Sequence, residues 1–301
     1  MDAKEAVLRA REKGIVIPAI NVAHVPMLKA IAEAVADENS VAMIQVARVE
    51  WEKMNAGSIE IIAEEYGKWG NSANTLLHLD HVPVIDEDNE SVDYTALIKR
   101  ALKAGYQSVM VDGSRLPLDE NIRTSAEVVC LAHDAGVPCE AELGAVMGHE
   151  SGPMPPYEEI FASKKGFTSV SEAERFVKEA GVDWLSIAAG NIHGAIAEAT
   201  RNEKKPEARL DVEHIKDLYE ATKIPLVLHG GSGIKVEFIR EGIAAGIAKI
   251  NIGTEVRQAY ELAFEKSGGD VEAARLGVYE KVREILSKSL LLTDSKVSLY
   301  G

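Results

Sequence analysis

The sequence predicts an α/β fold, a (β/α)8 TIM barrel forming a single domain over residues 1–301 with an extra C-terminal helix. Three observations lead there. Eight short β-branched runs succeed one another along the chain. They are continuously apolar rather than alternating, as strands covered on both faces of a parallel sheet must be. The segments between them carry apolar residues at three- and four-residue steps, the spacing of a helix with one buried stripe. With 46% hydrophobic residues in a chain of 301, there is enough apolar surface to fill such a barrel.

In order, the runs are Ile15–Val22, Val41–Ala47, Thr75–Asp80, Ser108–Asp112, Pro138–Leu143, Trp184–Ala189, Pro225–His229 and Ala248–Gly253. Helical spacing occupies Met27–Asp37, Tyr94–Ala104, Asn121–Ala135, Val170–Ala180 and Val212–Ala221. Ala104-Gly105, Ala135-Gly136, Ala180-Gly181 and Ala245-Gly246 place glycine where a helix ends in left-handed backbone. One long irregular connection, Gly144–Thr168, leaves after strand five, and residues 145–168 are expected to form a lid, since loops of this length in compact domains are usually functional or disordered. Residues 269–301 read as an extension, with a helix over Val271–Ser287 and an apolar end at Leu290-Leu291-Leu292.

Charge narrows the partners. Lys and Arg number 33 against 48 Asp and Glu, and the net charge of -15 repels a phosphate backbone, which argues against nucleic acid. No apolar stretch approaches the ~18 residues of a spanning helix. Met1–Glu5 is charged at once and lacks a signal-peptide apolar region, so a cytoplasmic location away from membranes is expected. The only cysteines, Cys130 and Cys139, are too few for a disulfide framework and sit in apolar-patterned segments, as small core residues would.

Active sites of such barrels lie at the C-terminal ends of the strands. His81 after strand three, His193 after strand six and His229 after strand seven all fall there, and the last two are followed by glycine, which leaves backbone room for a ligand. Three protein ligands with one open position are how a catalytic zinc is held, so these three are assigned to Zn2+ or another divalent metal. Asp80 adjoins His81; neighbouring strand-end residues point to different sides, which turns Asp80 toward the reacting atoms as general acid/base. Glu142 is an acid in an otherwise apolar strand and is expected either to bind metal or to orient a ligand imidazole. Asp112 either orients a histidine or caps the turn that follows it.

Of the other histidines, His78 is expected in a core or supporting role, His24 could line the pocket, and His149 sits in the lid within reach of substrate. His133 and His214 are expected on the surface. Gly230-Gly231-Ser232-Gly233 and Asn251-Ile252-Gly253-Thr254 are read as opening helices after strands seven and eight. Backbone amides at helix N-termini bind phosphate, so Gly231, Ser232, Asn251, Gly253 and Thr254 make a candidate anion site.

These segments, in this order, resemble the class II (zinc-dependent) fructose-bisphosphate and tagatose-bisphosphate aldolases. The likeness rests on His78-Leu79-Asp80-His81, Asp112-Gly113-Ser114, Glu140-Ala141-Glu142-Leu143-Gly144, His193-Gly194, Leu228-His229-Gly230-Gly231-Ser232-Gly233 and Lys249–Glu255, and spans residues 15 to 265. It implies zinc on His81, His193 and His229, Asp80 as acid/base on the cleaved hydroxyl, and Glu142 as an acid near the metal. It places Gly194, Gly231, Ser232, Asn251 and Thr254 on dihydroxyacetone phosphate, and Glu150 in the lid as the group moving protons at the enediolate carbon. A monovalent cation near the site and a homodimer or homotetramer are usual in that family.

The departures fall where the second half of the substrate would be read. Met147-Gly148-His149-Glu150-Ser151 stands where the family usually has Gly-Gly-x-Glu-Asp, and an insert, Gly152–Gly166, follows. Asn191-Ile192-His193-Gly194 replaces Thr-Ala-His-Gly. Arg48 closes strand two where a small polar residue is commoner; it fits a carboxylate, sulfonate or second phosphate, or else a surface ion pair. The expected function is a zinc-dependent aldolase that reversibly cleaves a ketose phosphate, either a bisphosphate or an acidic or deoxy ketose monophosphate, to dihydroxyacetone phosphate and an aldehyde. A Schiff-base aldolase on the same fold would need a lysine in the barrel mouth, and Lys249 would have to serve. A non-catalytic accessory barrel should have lost its ligands, and all three are retained.

Overall fold

The computed structural model describes residues 1–146, 157–192 and 208–301. Its strands are β1 (Ile17–Asn21), β2 (Ala42–Ala47), β3 (Thr75–Pro83), β4 (Ser108–Asp112), β5 (Cys139–Leu143), β6 (Trp184–Ile187), β7 (Leu226–Leu228) and β8 (Ile247–Ile252). They close into one barrel in chain order, with β8 parallel to β1. Every residue of β1, β2, β5 and β8 is buried, which is why their sequences lack polar/apolar alternation.

The helices are α1 (Ala3–Lys13), α2 (Met27–Asp37), α3 (Arg48–Lys53), α4 (Ile59–Trp69), α5 (Tyr94–Ala104), α6 (Leu118–Asp134), α7 (Tyr157–Ser163), α8 (Val170–Ala180), α9 (Val212–Thr222), α10 (Val236–Ala245), α11 (Thr254–Lys266), α12 (Val271–Glu284) and α13 (Ser295–Tyr300). α8 shows how local sequence sets them. Ser169 caps its first turn by accepting from the Glu172 amide, Ala173, Phe176 and Ala180 form the buried stripe, and Gly181 ends it at φ 72°.

The two ends of the barrel differ. At the N-terminal end, Ala3, Ala6, Val7 and Ala10 of α1 pack with Ile17, Met43, Leu76, Trp184, Val227 and Leu299 into a dry plug. The polar interior residues Asn21, Gln45, Asp80, Glu142 and Asn251 lie toward the other end, and that end opens as a cavity of about 540 Å³.

Several expectations need correction. Gly144–Thr168 is not wholly irregular, because α7 occupies its second part. The helix expected over Val271–Ser287 leaves α geometry at Glu284 and passes through a π turn, Ile285–Ser289, that buries Ile285 and Leu286. Cys130 is exposed on α6 while Cys139 is buried in β5, so only the second is a core residue. β3 extends to Pro83, which puts His81 inside the strand with Asp80 rather than after it. There the register with β4 shifts between Leu79 and Val82, and His81 takes φ 26°. This extra residue re-aims the strand as a β-bulge does, so adjacent residues can both reach the mouth.

Candidate metal and acid-base centre

Asp80 is 1% exposed, and its carboxylate is held by amides from three strands. Oδ2 accepts from Asn21 Nδ2 at 2.9 Å and Gln45 Nε2 at 3.1 Å, and Oδ1 accepts from Asn251 Nδ2 at 2.9 Å. Burial pushes this carboxyl up, but His81, His229 and Lys249 outweigh it and hold it below the ordinary value. The result is an anion that is oriented without being neutralised.

The imidazoles are held by acceptors instead. The rings of His81 and His229 meet edge to face with centroids 4.5 Å apart. His81 Nδ1 lies 3.1 Å from Asp112 Oδ2, and His229 Nε2 lies 2.8 Å from Glu140 Oε1. A carboxylate only accepts, so each of these contacts calls for a proton on that nitrogen, which leaves His81 Nε2 and His229 Nδ1 as the nitrogens that would face a metal. Glu142 Oε2 stands 3.1 Å from His229 Nδ1 and accepts from Ser186 Oγ, so this carboxylate adjoins both candidate roles expected of it. Asp112 performs both of its roles, since Oδ1 caps the turn through the Ser114 amide and hydroxyl while Oδ2 orients His81.

One ligand atom each from Asp80, His81 and His229 lies within 4.8 Å of the others, as does one each from His81, Asp112 and Glu142. Two imidazoles ringed by carboxylates fit a borderline-soft divalent ion such as zinc. The electrostatics agree. Burial disfavours a charged His81, yet Asp80, Asp112 and Glu142 together lift its pKa to about 10, so the spot favours positive charge. His193, the third expected ligand, lies outside the described residues, as do Gly194, His149 and Glu150.

The anion loops depart from expectation in part. Gly253 caps α11, with Thr254 as its first residue, and both line the cavity. Gly230–Gly233 does not open a helix; α10 starts at Val236. The Gly231 amide donates to the Asn251 carbonyl at 3.0 Å, and a Cβ there would sit 2.6 Å from Ile250 Cγ1, so this glycine permits close approach to β8. Gly230 and Ser232 line the cavity instead. The Asn251 side chain is turned to Asp80.

Arg48 also lines the cavity, at the start of α3, with its guanidinium 3.1 Å from Asp86 Oδ2. His78 is a core residue, its Nδ1 paired to Ser108 Oγ at 2.7 Å; burial and the Lys249 charge press its pKa down to about 3. His24 is not among the lining residues: it stacks on Tyr260 and bonds Glu261. His133 is exposed beside Asp183, whereas half-buried His214 is tied to the Thr168 carbonyl, not free on the surface. Lys249 is fully buried against Glu140 and Asn251.

Sequence reasoning missed Asn21, Gln45, Glu50, Glu140 and Arg257, the last a 4%-exposed residue that lines the cavity and pairs with Glu261. The available signal was a polar residue inside an apolar run, as at Gln45 and Glu140. Glu50 is 6% exposed, lines the cavity and shares the Asn21 amide with Asp80. Burial raises its carboxyl to about 8, against hydrogen bonds from Ala47 and Asn21.

Comparisons with known proteins converge. The sequence model of "Fructose-bisphosphate aldolase class-II" matches residues 1–293. A fructose-bisphosphate aldolase of Helicobacter pylori is 35% identical over 283 residues, covering 85% of this chain and 83% of the relative. Among solved structures, the YdjI aldolase from Escherichia coli K12 superposes with TM-score 0.75 at 28% identity, covering 98% of both chains. A putative fructose-1,6-bisphosphate aldolase from Coccidioides immitis gives TM-score 0.77 at 27% identity, again over 98% of both.

Proposed function

Because the chain belongs to the class II fructose-bisphosphate aldolase family and is thereby a carbon–carbon lyase, we propose that it is a zinc-dependent enzyme releasing dihydroxyacetone phosphate from a ketose phosphate. The observation that carries this reading is the approach of ligand atoms from Asp80, His81 and His229 to within 4.8 Å at the open end of the barrel. His81, His229 and His193 would hold the metal, with Glu142 beside them. When bound, zinc supplies Lewis acidity toward the ketose carbonyl.

Asp80 takes the proton of the hydroxyl on the carbon that becomes the aldehyde. As that O–H electron pair forms the new C=O, the carbon–carbon bond breaks and its electrons pass to the triose half, which becomes an enediolate. Glu150 would return a proton to the enediolate carbon. Condensation runs the same steps backward, with Asp80 giving its proton up. The three amides on Asp80 suit this exchange, because they favour the anion yet leave it able to accept a proton.

Ser232, Gly253, Thr254 and Gly194 would receive the triose phosphate, with the N-terminus of α11 and its dipole behind them. Gly231 serves by letting that loop close on β8, and Asn251 by orienting Asp80. Arg48 faces the aldehyde half, where an anionic group would compete with Asp86 for it. Family likeness supports a homodimer or homotetramer, a nearby monovalent cation and a cytoplasmic setting. No described helix is long and apolar enough to cross a membrane.

The test is a cleavage panel of ketose bisphosphates and acidic or deoxy ketose monophosphates on the zinc-loaded enzyme, followed with a triose-phosphate coupling enzyme. At least one substrate should yield dihydroxyacetone phosphate, chelation should abolish this, zinc should restore it, and borohydride should trap nothing on Lys249. Undiminished cleavage after chelation, with a borohydride adduct, would replace this reading by the Schiff-base one.

A further inference from the structure

Below the candidate metal position, Lys249 and Glu140 form an ion pair with both side chains fully buried and Nζ 2.9 Å from Oε2. Such a pair is a poor source of stability, since desolvating two charges costs several kcal/mol and apolar residues of similar volume often do as well. Its remaining hydrogen bonds show what else it does. Lys249 Nζ donates to Asn251 Oδ1 at 2.7 Å, and Asn251 Nδ2 in turn donates to Asp80 Oδ1 at 2.9 Å. Glu140 Oε1 takes the His229 Nε2 proton at 2.8 Å, while Oε2 also accepts from Trp184 Nε1 at 2.6 Å.

Each link depends on hydrogen-bond polarity rather than shape. A primary amide can turn end for end at little steric cost, and only its partners decide which end faces which neighbour. Lys249 has no acceptor, so it fixes the amide oxygen of Asn251 toward itself and the NH2 toward Asp80. Glu140 has no donor, so at 2.8 Å it draws the proton of His229 to Nε2 against the competing acceptor Glu142, 3.1 Å from Nδ1 on the side of the mouth. Replaced by apolar residues, the pair would leave both choices open.

We propose that Lys249 and Glu140 act together as positioning residues. From one buried ion pair, they set the direction of the Asn251 amide at Asp80 and the tautomer of His229, so that base and metal ligand are aligned by the same two charges. This inference rests on Asp80 and His229 having the roles proposed above. It does not depend on which aldehyde is released.

The test begins with the metal-free wild-type protein. A two-bond 1H–15N correlation of its histidines, taken where the His229 ring is neutral, should show the proton on Nε2. A neutral ring protonated on Nδ1 would overturn the proposal without any variant. Glu140→Gln should mix the two tautomers, because an amide can donate or accept, and should weaken zinc binding ~10–100-fold with KM little changed. Lys249→Met should spare zinc affinity more than kcat, since its path leads to Asp80. The double variant Lys249→Met/Glu140→Gln leaves no unpaired charge and keeps the fold testable where a single change does not. If it unfolds at the wild-type temperature but shows the mixed tautomer, weaker zinc and lower kcat, the positioning role stands. If it has wild-type tautomer, zinc affinity and kcat, the pair is merely structural. Wild-type protein that binds no zinc, or an Asp80 variant with full turnover, would instead contradict the underlying functional reading.

Discussion

Asp80 and His229 share one barrel mouth but are surrounded in opposite ways. Among the described residues, every hydrogen bond to the Asp80 carboxylate comes from a neutral amide, on Asn21, Gln45 or Asn251. The imidazoles are flanked by carboxylates: Asp112 at His81, and Glu140 and Glu142 at His229. Donors without charge orient the anion, while the charges of His81, His229 and Lys249 act on it through space and keep its pKa low. Acceptors with charge fix ring tautomers and gather negative potential where a cation would sit. A few ångströms thus separate a region suited to the proposed base from one suited to the proposed metal, and the sequence places Asp80 and His81, one from each, side by side at the bulge in β3.

Breaking the metal region should have the largest effect. His229→Ala removes a proposed ligand outright, so zinc affinity should fall by more than the ~10–100-fold typical of losing a supporting partner, and turnover with it. Metal analysis after dialysis checks this; wild-type zinc content would show that the ring belongs to no metal site.

Breaking the amide region should act on turnover alone. Gln45→Leu deletes one donor from a charged acceptor, an interaction worth about 1.5–3 kcal/mol, so kcat should fall ~10–100-fold with zinc content unchanged. Steady-state kinetics beside metal analysis would reveal any crossover between the two regions.

Glu50 sharpens the contrast, because it is a carboxyl in the amide region that lacks strong support. Its folded pKa of about 8 lies above the ordinary 4.5, so the folded state binds more protons than the unfolded one between those values. Its contribution to stability is therefore complete below pH 4.5 and is lost as pH rises to about 8. In metal-free protein, Glu50→Gln should flatten that part of the stability profile relative to wild type, as urea melts at several pH values would show. Parallel profiles would mean that Glu50 is ionised throughout.

The smallest effect is expected outside both regions. His24→Ala loses a ring stacked 4.7 Å from Tyr260, worth about 0.5–1.5 kcal/mol of stability, and should leave turnover and metal untouched. A marked loss of turnover would bring His24 back to the site.

The barrel order was legible because buried parallel strands write themselves as apolar runs, and His81, Asp80 and His229 were legible because barrel chemistry gathers at strand ends. α1 was not read as an element, although its small apolar face closes the floor. Gln45 and Asn21 stayed hidden because one polar residue in an apolar run has no meaning until β1, β2 and β8 curve around Asp80. Glu140 sits two residues before Glu142, on the same face of β5, yet its contacts with Lys249 and His229 exist only once the ring closes. The His81 bulge could not be read at all, since nothing in His-Leu-Asp-His announces a φ of 26°.

The separation of base from metal is tested most directly by Asp80→Ala, with zinc content and turnover measured on one sample. Undiminished zinc with turnover reduced ~10²–10⁴-fold is the predicted result. Full turnover, or zinc lost in step with activity, would contradict it.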